Sequence, residues 1–85
     1  MTSAPRVRLL VREGCHLCAE AERVVAAVCA ETGEAYETRD IDADPDLRRR
    51  YTDEVPVTFV DGAQHDFWRV DPERLRAALA RRRPR

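Results

Sequence analysis

Lysine is absent from this sequence: all 15 basic residues are arginine, and together with 16 acidic residues they leave a formal net charge of −1. A balance this close to neutral gives no sign of a nucleic-acid or membrane partner. Long apolar runs are absent too, because the longest, Val24 to Ala30, has seven residues, against the ~20 of a membrane-spanning helix. The first residues also lack the apolar stretch of a secretory signal. We therefore expect a cytoplasmic protein that binds neither nucleic acid nor membrane.

Cysteine is scarce, with three residues in 85. An odd number, with two of the three close together, does not form the disulfide framework of a small secreted domain. These residues therefore point to catalysis or metal binding. A chain of this length with 44% hydrophobic residues has room for one core, so we expect a single domain over residues 1–85. We also expect that domain to be a monomer.

Hydrophobic periodicity predicts the element order βαβαββα. Alternating apolar residues indicate strands, and apolar residues at three- and four-residue steps indicate helices. The predicted strands span 6–12, 35–41, 55–60 and 64–69, and the predicted helices span 17–32, 45–51 and 72–82. The first βαβ unit requires a right-handed parallel crossover, and the final hairpin adds antiparallel strands. This order predicts an α/β fold with a mixed sheet and helices on both faces.

Turn and cap residues mark where these elements end. Asp44-Pro45 and Asp71-Pro72 each combine an Asp that can cap backbone N–H groups with a Pro suited to the first helical position. Asp61-Gly62 predicts the hairpin turn, and Gly33 is the expected left-handed cap of the long helix.

The most informative residues are Cys15-His16-Leu17-Cys18, between the first strand and the longest helix. A cysteine at a helix N-terminus lies beside unpaired N–H donors, which lower the pKa of its thiol from about 8.5. Cys18 follows ~4.5 Å further along the helix axis on nearly the same face, so the two sulfurs can form a disulfide. We therefore predict Cys15 as a nucleophile and Cys18 as the resolving thiol.

Two charged neighbours are candidates for assisting this pair. His16 is a candidate catalytic residue that donates a hydrogen bond or a positive charge to the Cys15 thiolate, and the alternative is an exposed loop imidazole. Arg12 adds positive charge near the cysteines, while Glu13 opposes it. The sequence does not decide which of those two lies closer.

The chain resembles the glutaredoxin-like family of thioredoxin-fold proteins from Val7 to Arg82. That family carries Cys-x-x-Cys after the first strand, a cis-proline before the third strand and a strand-turn-strand-helix ending. The matching residues are Cys15 and Cys18, Pro56 in Glu54-Val55-Pro56-Val57, and Phe59-Val60-Asp61-Gly62 with Asp71-Pro72. The resemblance implies a thioredoxin-like sheet in the order 2-1-3-4, with Pro56 facing the cysteines. A cis Val55–Pro56 bond would let Val55 offer its N–H and C=O to an extended thiol substrate, whereas a trans proline opening a strand is the simpler alternative outside that context.

The resemblance also implies a dithiol thiol–disulfide oxidoreductase acting on disulfides of proteins or of small thiols. Arg12 stands where relatives often hold a cation for the glycine carboxylate of glutathione, and Arg69 is a candidate for binding the other end of a small thiol. The chain departs from glutathione-using relatives where His16-Leu17, Glu54 and Phe67-Trp68 replace Pro-Tyr, Thr and Gly-Gly. We expect no tightly bound cofactor, and the reductant stays open between glutathione, another low-molecular-weight thiol and thioredoxin reductase.

Two other kinds of function stay open. One is metal binding, with zinc held by Cys15, His16, Cys18 and His65, or an iron–sulfur cluster bridged between two chains by Cys15 and an external thiol. Spacing argues against the zinc site, because structural zinc sites usually pair two ligand clusters and this chain supplies one cluster and a distant His. The other is a redox-silent adaptor, since a fold does not establish a function.

The remaining candidates receive structural predictions. Cys29 lies too far along the helix to pair with the motif, so we expect a small buried hydrophobic residue. We expect His65 on a strand surface. For Phe67 and Trp68 we expect core and rim packing rather than the alternative, a binding platform. The final Arg81-Arg82-Arg83-Pro84-Arg85 is interpreted as a solvated helix end rather than a tail for an anionic partner.

Overall fold

A computed structural model of the chain describes residues 4–81. Eight elements follow one another along these residues, with one short 3₁₀ helix, Ile41–Ala43, between the second strand and the second helix. The strands are β1 (Val7–Val11), β2 (Tyr36–Asp40), β3 (Val57–Val60) and β4 (Ala63–Phe67), and the helices are α1 (His16–Thr32), α2 (Pro45–Tyr51) and α3 (Pro72–Ala80). The predicted order βαβαββα is confirmed.

The four strands form one mixed sheet in the order β2-β1-β3-β4. β1 pairs with β2 in parallel and with β3 antiparallel, and β3 pairs antiparallel with β4. The predicted 2-1-3-4 order and the mixed sheet are therefore confirmed.

The alternation of side chains along β1 divides the core between the two faces of the sheet. Val7 and Leu9 are fully buried on one face with the apolar sides of α1 and α3. Leu10 points to the other face, where it packs with Tyr51 of α2. Helices thus cover both faces, as predicted, because successive residues of a strand point in opposite directions.

The predicted caps and turn also appear. Gly33 adopts φ 74° and donates its N–H to the carbonyl of Cys29, as a left-handed cap does. Asp44 and Asp71 each accept backbone N–H groups at the start of α2 and α3. Asp61 and Gly62 both have positive φ, 51° and 84°, which matches the tight turn of a two-residue hairpin.

Element ends differ from the predictions by one or two residues, and local contacts explain several of these differences. Ile41 leaves the predicted second strand because the Asp40 carboxylate accepts the N–H of Asp42 and turns the chain into the 3₁₀ helix. β3 begins at Val57, since Pro56 has no N–H for the ladder. Trp68, at φ 64°, ends β4. α3 ends at Ala80, and Arg82 with the rest of the arginine tail lies outside the described residues.

Between residues 4 and 81, no helix is both long and apolar enough to cross a membrane.

Candidate active site

The two cysteines of the motif meet at the start of α1. Cys15 is the N-cap residue, and its Sγ accepts the backbone N–H of Cys18 at 3.1 Å. The two sulfurs are bonded as a disulfide, with Cα atoms 5.2 Å apart. The sequence prediction that these side chains come together is confirmed. Their position places a sulfur at the helix end where unpaired N–H groups favour negative charge.

Exposure distinguishes the two sulfur-bearing residues. Cys15 is half-buried, whereas Cys18 is 4% exposed and belongs to the buried side of α1. An incoming molecule therefore has access to Cys15 and not to Cys18.

Val55 and Pro56 lie at the end of the sheet where β1 leads to Cys15. Leu10 of β1 faces Val57 of β3 in the antiparallel pair, so the residues before Val57 lie where β1 runs out toward Cys15. The Val55–Pro56 peptide bond is cis. Pro56 is buried, and its carbonyl accepts the N–H of Trp68 at 2.7 Å.

His16 is exposed as the first residue of α1. Across residues 4–81, its imidazole makes no hydrogen bond, so the predicted hydrogen bond to Cys15 is not formed in the disulfide state. A contribution through positive charge stays a prediction.

Arg12 is already paired. Its guanidinium donates to both carboxylate oxygens of Asp42, at 3.0 and 2.9 Å. That hydrogen bonding lowers the pKa of the Asp42 carboxyl below its ordinary value. Asp40 and Asp53 add further negative charge near the same guanidinium. The Arg12 guanidinium is therefore bound by a carboxylate of its own chain, with two more carboxylates nearby.

Arg69 and Leu17 of the cysteine motif line the same small cleft. The cleft has a volume of about 120 Å³ and runs between α1 and the segment after β4. It is lined by Leu17, Glu20, Ala21, Val24, Trp68, Arg69 and Val70. Leu17 lies between the two cysteines in sequence, so one wall of the cleft comes from the motif itself.

Phe67 and Trp68 are not packed as predicted. They are 47% and 52% exposed, respectively, and their rings meet edge to face with centroids 5.0 Å apart. The Trp68 indole N–H donates to the Asp53 carbonyl at 2.9 Å. The sequence did contain a signal for this, because two successive aromatic residues at the end of a strand cannot both face the core.

His65 also departs from its predicted surface position. Its side chain is 13% exposed on β4 and lies beside the Asp66 carboxylate. Residues 4–81 contain no cluster of three or more His, Cys, Asp or Glu side chains placed to hold a metal ion, so His65 does not join Cys15 and Cys18 as the zinc alternative requires.

Cys29 is a buried free cysteine in the core on the α1 face, as predicted. Burial raises the pKa of its thiol, and the nearby Glu34 carboxylate adds to the rise. Both effects keep it protonated and unreactive.

Comparison with known proteins gives one consistent result. The sequence model of a family described as "Glutaredoxin-like domain (DUF836)" matches residues 6–80. Uncharacterized proteins of Mycobacterium bovis and Mycobacterium tuberculosis are 39% identical over 84 residues, covering 93% of this chain and 87% of each relative.

Solved structures agree with the sequence relatives. The X-ray structure of protein XcR50 from X. campestris is 35% identical with a TM-score of 0.70, covering 86% of this chain and 93% of that one. The solution structure of Ne2328 from Nitrosomonas europaea is 28% identical with a TM-score of 0.77, covering 94% and 96%.

Proposed function

The chain belongs to the glutaredoxin-like family of thioredoxin-fold proteins, and from that membership we propose that it is a small dithiol thiol–disulfide oxidoreductase. Its substrates are disulfides of proteins or of low-molecular-weight thiols. Cys15 is the nucleophile and Cys18 the resolving thiol. The site is proposed to need no tightly bound cofactor, because the two sulfurs carry both electrons.

The reaction proceeds in two exchange steps. The Cys15 thiolate attacks one sulfur of the substrate disulfide, forms a mixed disulfide and releases the other substrate sulfur as a thiolate. The Cys18 thiolate then attacks Cys15 Sγ and releases the second substrate thiolate. The substrate has gained two electrons and takes up protons from water, while the protein holds the Cys15–Cys18 disulfide.

The observation that carries this assignment is the environment of Cys15 Sγ. It accepts the Cys18 N–H at 3.1 Å at the start of α1, and it is the more accessible of the two cysteines. An N–H donor and a helix N-terminus stabilise a thiolate. Cys18 is nearly buried and one helical turn away, which suits a thiol that acts only after the mixed disulfide has formed.

The surroundings supply the rest of the proposed site. Val55 and Pro56 lie at the end of the sheet that leads to Cys15, and Arg69 lines the cleft that Leu17 also lines. These three residues form the substrate-binding side in this proposal, with His16 adding charge when protonated. Arg12 has a smaller part than the family resemblance implied, since Asp42 holds its guanidinium.

A reductant must restore the dithiol. Two molecules of a low-molecular-weight thiol, glutathione among them, would give one small disulfide and the reduced protein, and a thioredoxin reductase would deliver the same two electrons. We propose the cytoplasm as the location, because a reducing compartment keeps such a dithiol available.

The test measures reduction of bis(2-hydroxyethyl) disulfide by the reduced protein, coupled in parallel to glutathione with its reductase and to thioredoxin reductase. Cys15→Ser should abolish turnover with either donor. Cys18→Ser should accumulate a mixed disulfide on Cys15, seen as an added mass that dithiothreitol removes. Cys29→Ala is the matched control, because it removes a cysteine from the core, and it should keep wild-type turnover.

Equal turnover in wild type and Cys15→Ser would rule out the mechanism. No turnover of any disulfide by the wild-type protein, together with a Cys15 thiol of ordinary pKa, would favour the adaptor.

A further inference from the structure

An exposed aromatic pair adjoins the proposed redox site. Phe67 and Trp68 are the large apolar side chains that stand exposed within residues 4–81, and they lie next to each other at the end of β4. Scattered apolar residues on a surface need no explanation, but neighbouring aromatic side chains beside a reactive group mark a place where another molecule binds.

Hydrogen bonds from both the backbone and the side chain of Trp68 hold it in place. Its N–H donates to the Pro56 carbonyl at 2.7 Å, and its indole N–H donates to the Asp53 carbonyl at 2.9 Å. Its φ of 64° lies in the left-handed region, which a bulky residue occupies at a cost that glycine does not have. A tryptophan fixed there presents a rigid apolar surface and loses little freedom when it binds a partner.

The cleft beside Trp68 is sized for a side chain. At about 120 Å³, it has room for about four water molecules at ~30 Å³ each. Leu17, Ala21 and Val24 supply apolar walls, and Leu17 is one of the two residues between the cysteines.

The charged side chains around the site provide little positive charge to bind a small anionic disulfide. The guanidinium of Arg12 is paired with Asp42 and also faces Asp40 and Asp53. Glu20 and Arg69 line the cleft with opposite charges. Among the residues that line the cleft, Trp68 is therefore the large apolar side chain that stands exposed.

We infer that the substrate disulfide is carried by a polypeptide with an apolar side chain next to its cysteine, and that Trp68 selects for that side chain. The inference rests on the proposed function and names its substrate class. The substrate sulfur meets Cys15, and the neighbouring side chain packs on Trp68 and enters the cleft that Trp68 and Leu17 line.

The test compares two disulfide-bridged peptides that differ only in having Leu or Ser after the cysteine. Turnover of bis(2-hydroxyethyl) disulfide is measured in parallel and normalises each variant. Wild type should reduce the Leu peptide with a kcat/KM about tenfold above that of the Ser peptide. Trp68→Ala should bring this ratio near one, and Trp68→Phe should keep most of it. Phe59→Leu changes an aromatic side chain that packs against Tyr51 and does not line the cleft, so it should leave the ratio as in wild type.

A second measurement does not depend on the variants folding. A peptide with Leu beside Ser in place of the cysteine is titrated into ¹⁵N-labelled oxidised wild type, and the Trp68 indole and Leu17 amide signals should shift. The absence of both shifts, or a wild-type ratio near one while the small disulfide is turned over, overturns the inference and leaves the proposed function standing. Failure to reduce any disulfide overturns both.

Discussion

Arg6 binds both carboxylate oxygens of Asp61, at 3.0 and 2.9 Å, across 55 residues of sequence. The same guanidinium donates to Glu34 and to the carbonyls of Leu79 and Arg81. The Arg6 side chain is 9% exposed, so these partners replace water almost completely. One side chain thus joins the start of β1 to the hairpin turn, the end of α1 and the end of α3.

Replacing Arg6 should destabilise the fold. Arg6→Leu leaves the carboxylates of Asp61 and Glu34 without their buried cation, and the free energy of unfolding should fall by about 3 kcal/mol. The matched control is Arg8→Leu, since Arg8 forms an exposed pair with Glu37 and should cost less than about 1 kcal/mol. Urea unfolding measures both, and equal losses would contradict the structural role of Arg6.

The three thiols of the reduced protein should differ in reactivity. Iodoacetamide at pH 7 should modify Cys15 first, Cys18 at least about tenfold more slowly and Cys29 last, because accessibility and thiolate character decrease in that order. Mass spectrometry of quenched samples gives the rates. In urea all three should react at similar rates, which is the control. Faster modification of Cys18 than of Cys15 would reverse the proposed roles.

The Arg12–Asp42 pair should be visible in a pH titration. The pKa of Asp42 is lowered in the folded protein. The pair therefore stabilises the fold at pH values above the unfolded pKa of ~3.9, and this stabilisation is lost as pH falls through the lower folded pKa. Carboxyl NMR signals should place the Asp42 pKa below the ordinary value, and Arg12→Gln should raise it. Arg8→Gln should leave it unmoved, and a normal Asp42 pKa in wild type would argue that Arg12 is free to bind a substrate.

Cys29 should make the fold less stable at alkaline pH. Its folded pKa is raised by burial and by Glu34, so the unfolded thiol loses its proton first, and stability falls as pH rises above the unfolded pKa of ~8.5. The urea midpoint of the oxidised protein should drop between pH 7.5 and 9.5 more in wild type than in Cys29→Ala. Identical drops would show that Cys29 does not contribute.

Local patterns predicted most of the fold and the pairing of Cys15 with Cys18. The spacing of Cys15 and Cys18, the Asp-Pro caps and the Asp61-Gly62 turn each act over a few residues, so the sequence shows them directly. His65 was misplaced because a bulge interrupts the hairpin: Phe59 faces Gln64 and Thr58 faces Asp66. The extra residue between those pairs breaks the alternation of faces that a sequence pattern assumes.

Local sequence patterns could not predict the contacts between distant segments. Arg6 meets partners up to 75 residues away, and Arg12 meets Asp42 across 30. The orientation of Trp68 depends on a carbonyl of Asp53, 15 residues earlier. Charge balance alone cannot show which arginines are engaged, so the availability of Arg12 could be judged only from the folded chain.

The order of the sheet leaves β2 and β4 at its two margins. The backbone groups at such margins invite strands from other copies. β2 carries charged residues in its sequence YETRD, and β4 is distorted by the irregularity opposite Thr58 and Phe59. Both features oppose edge-to-edge pairing of strands from two copies. A concentrated solution of this protein should therefore resist aggregation by strand pairing.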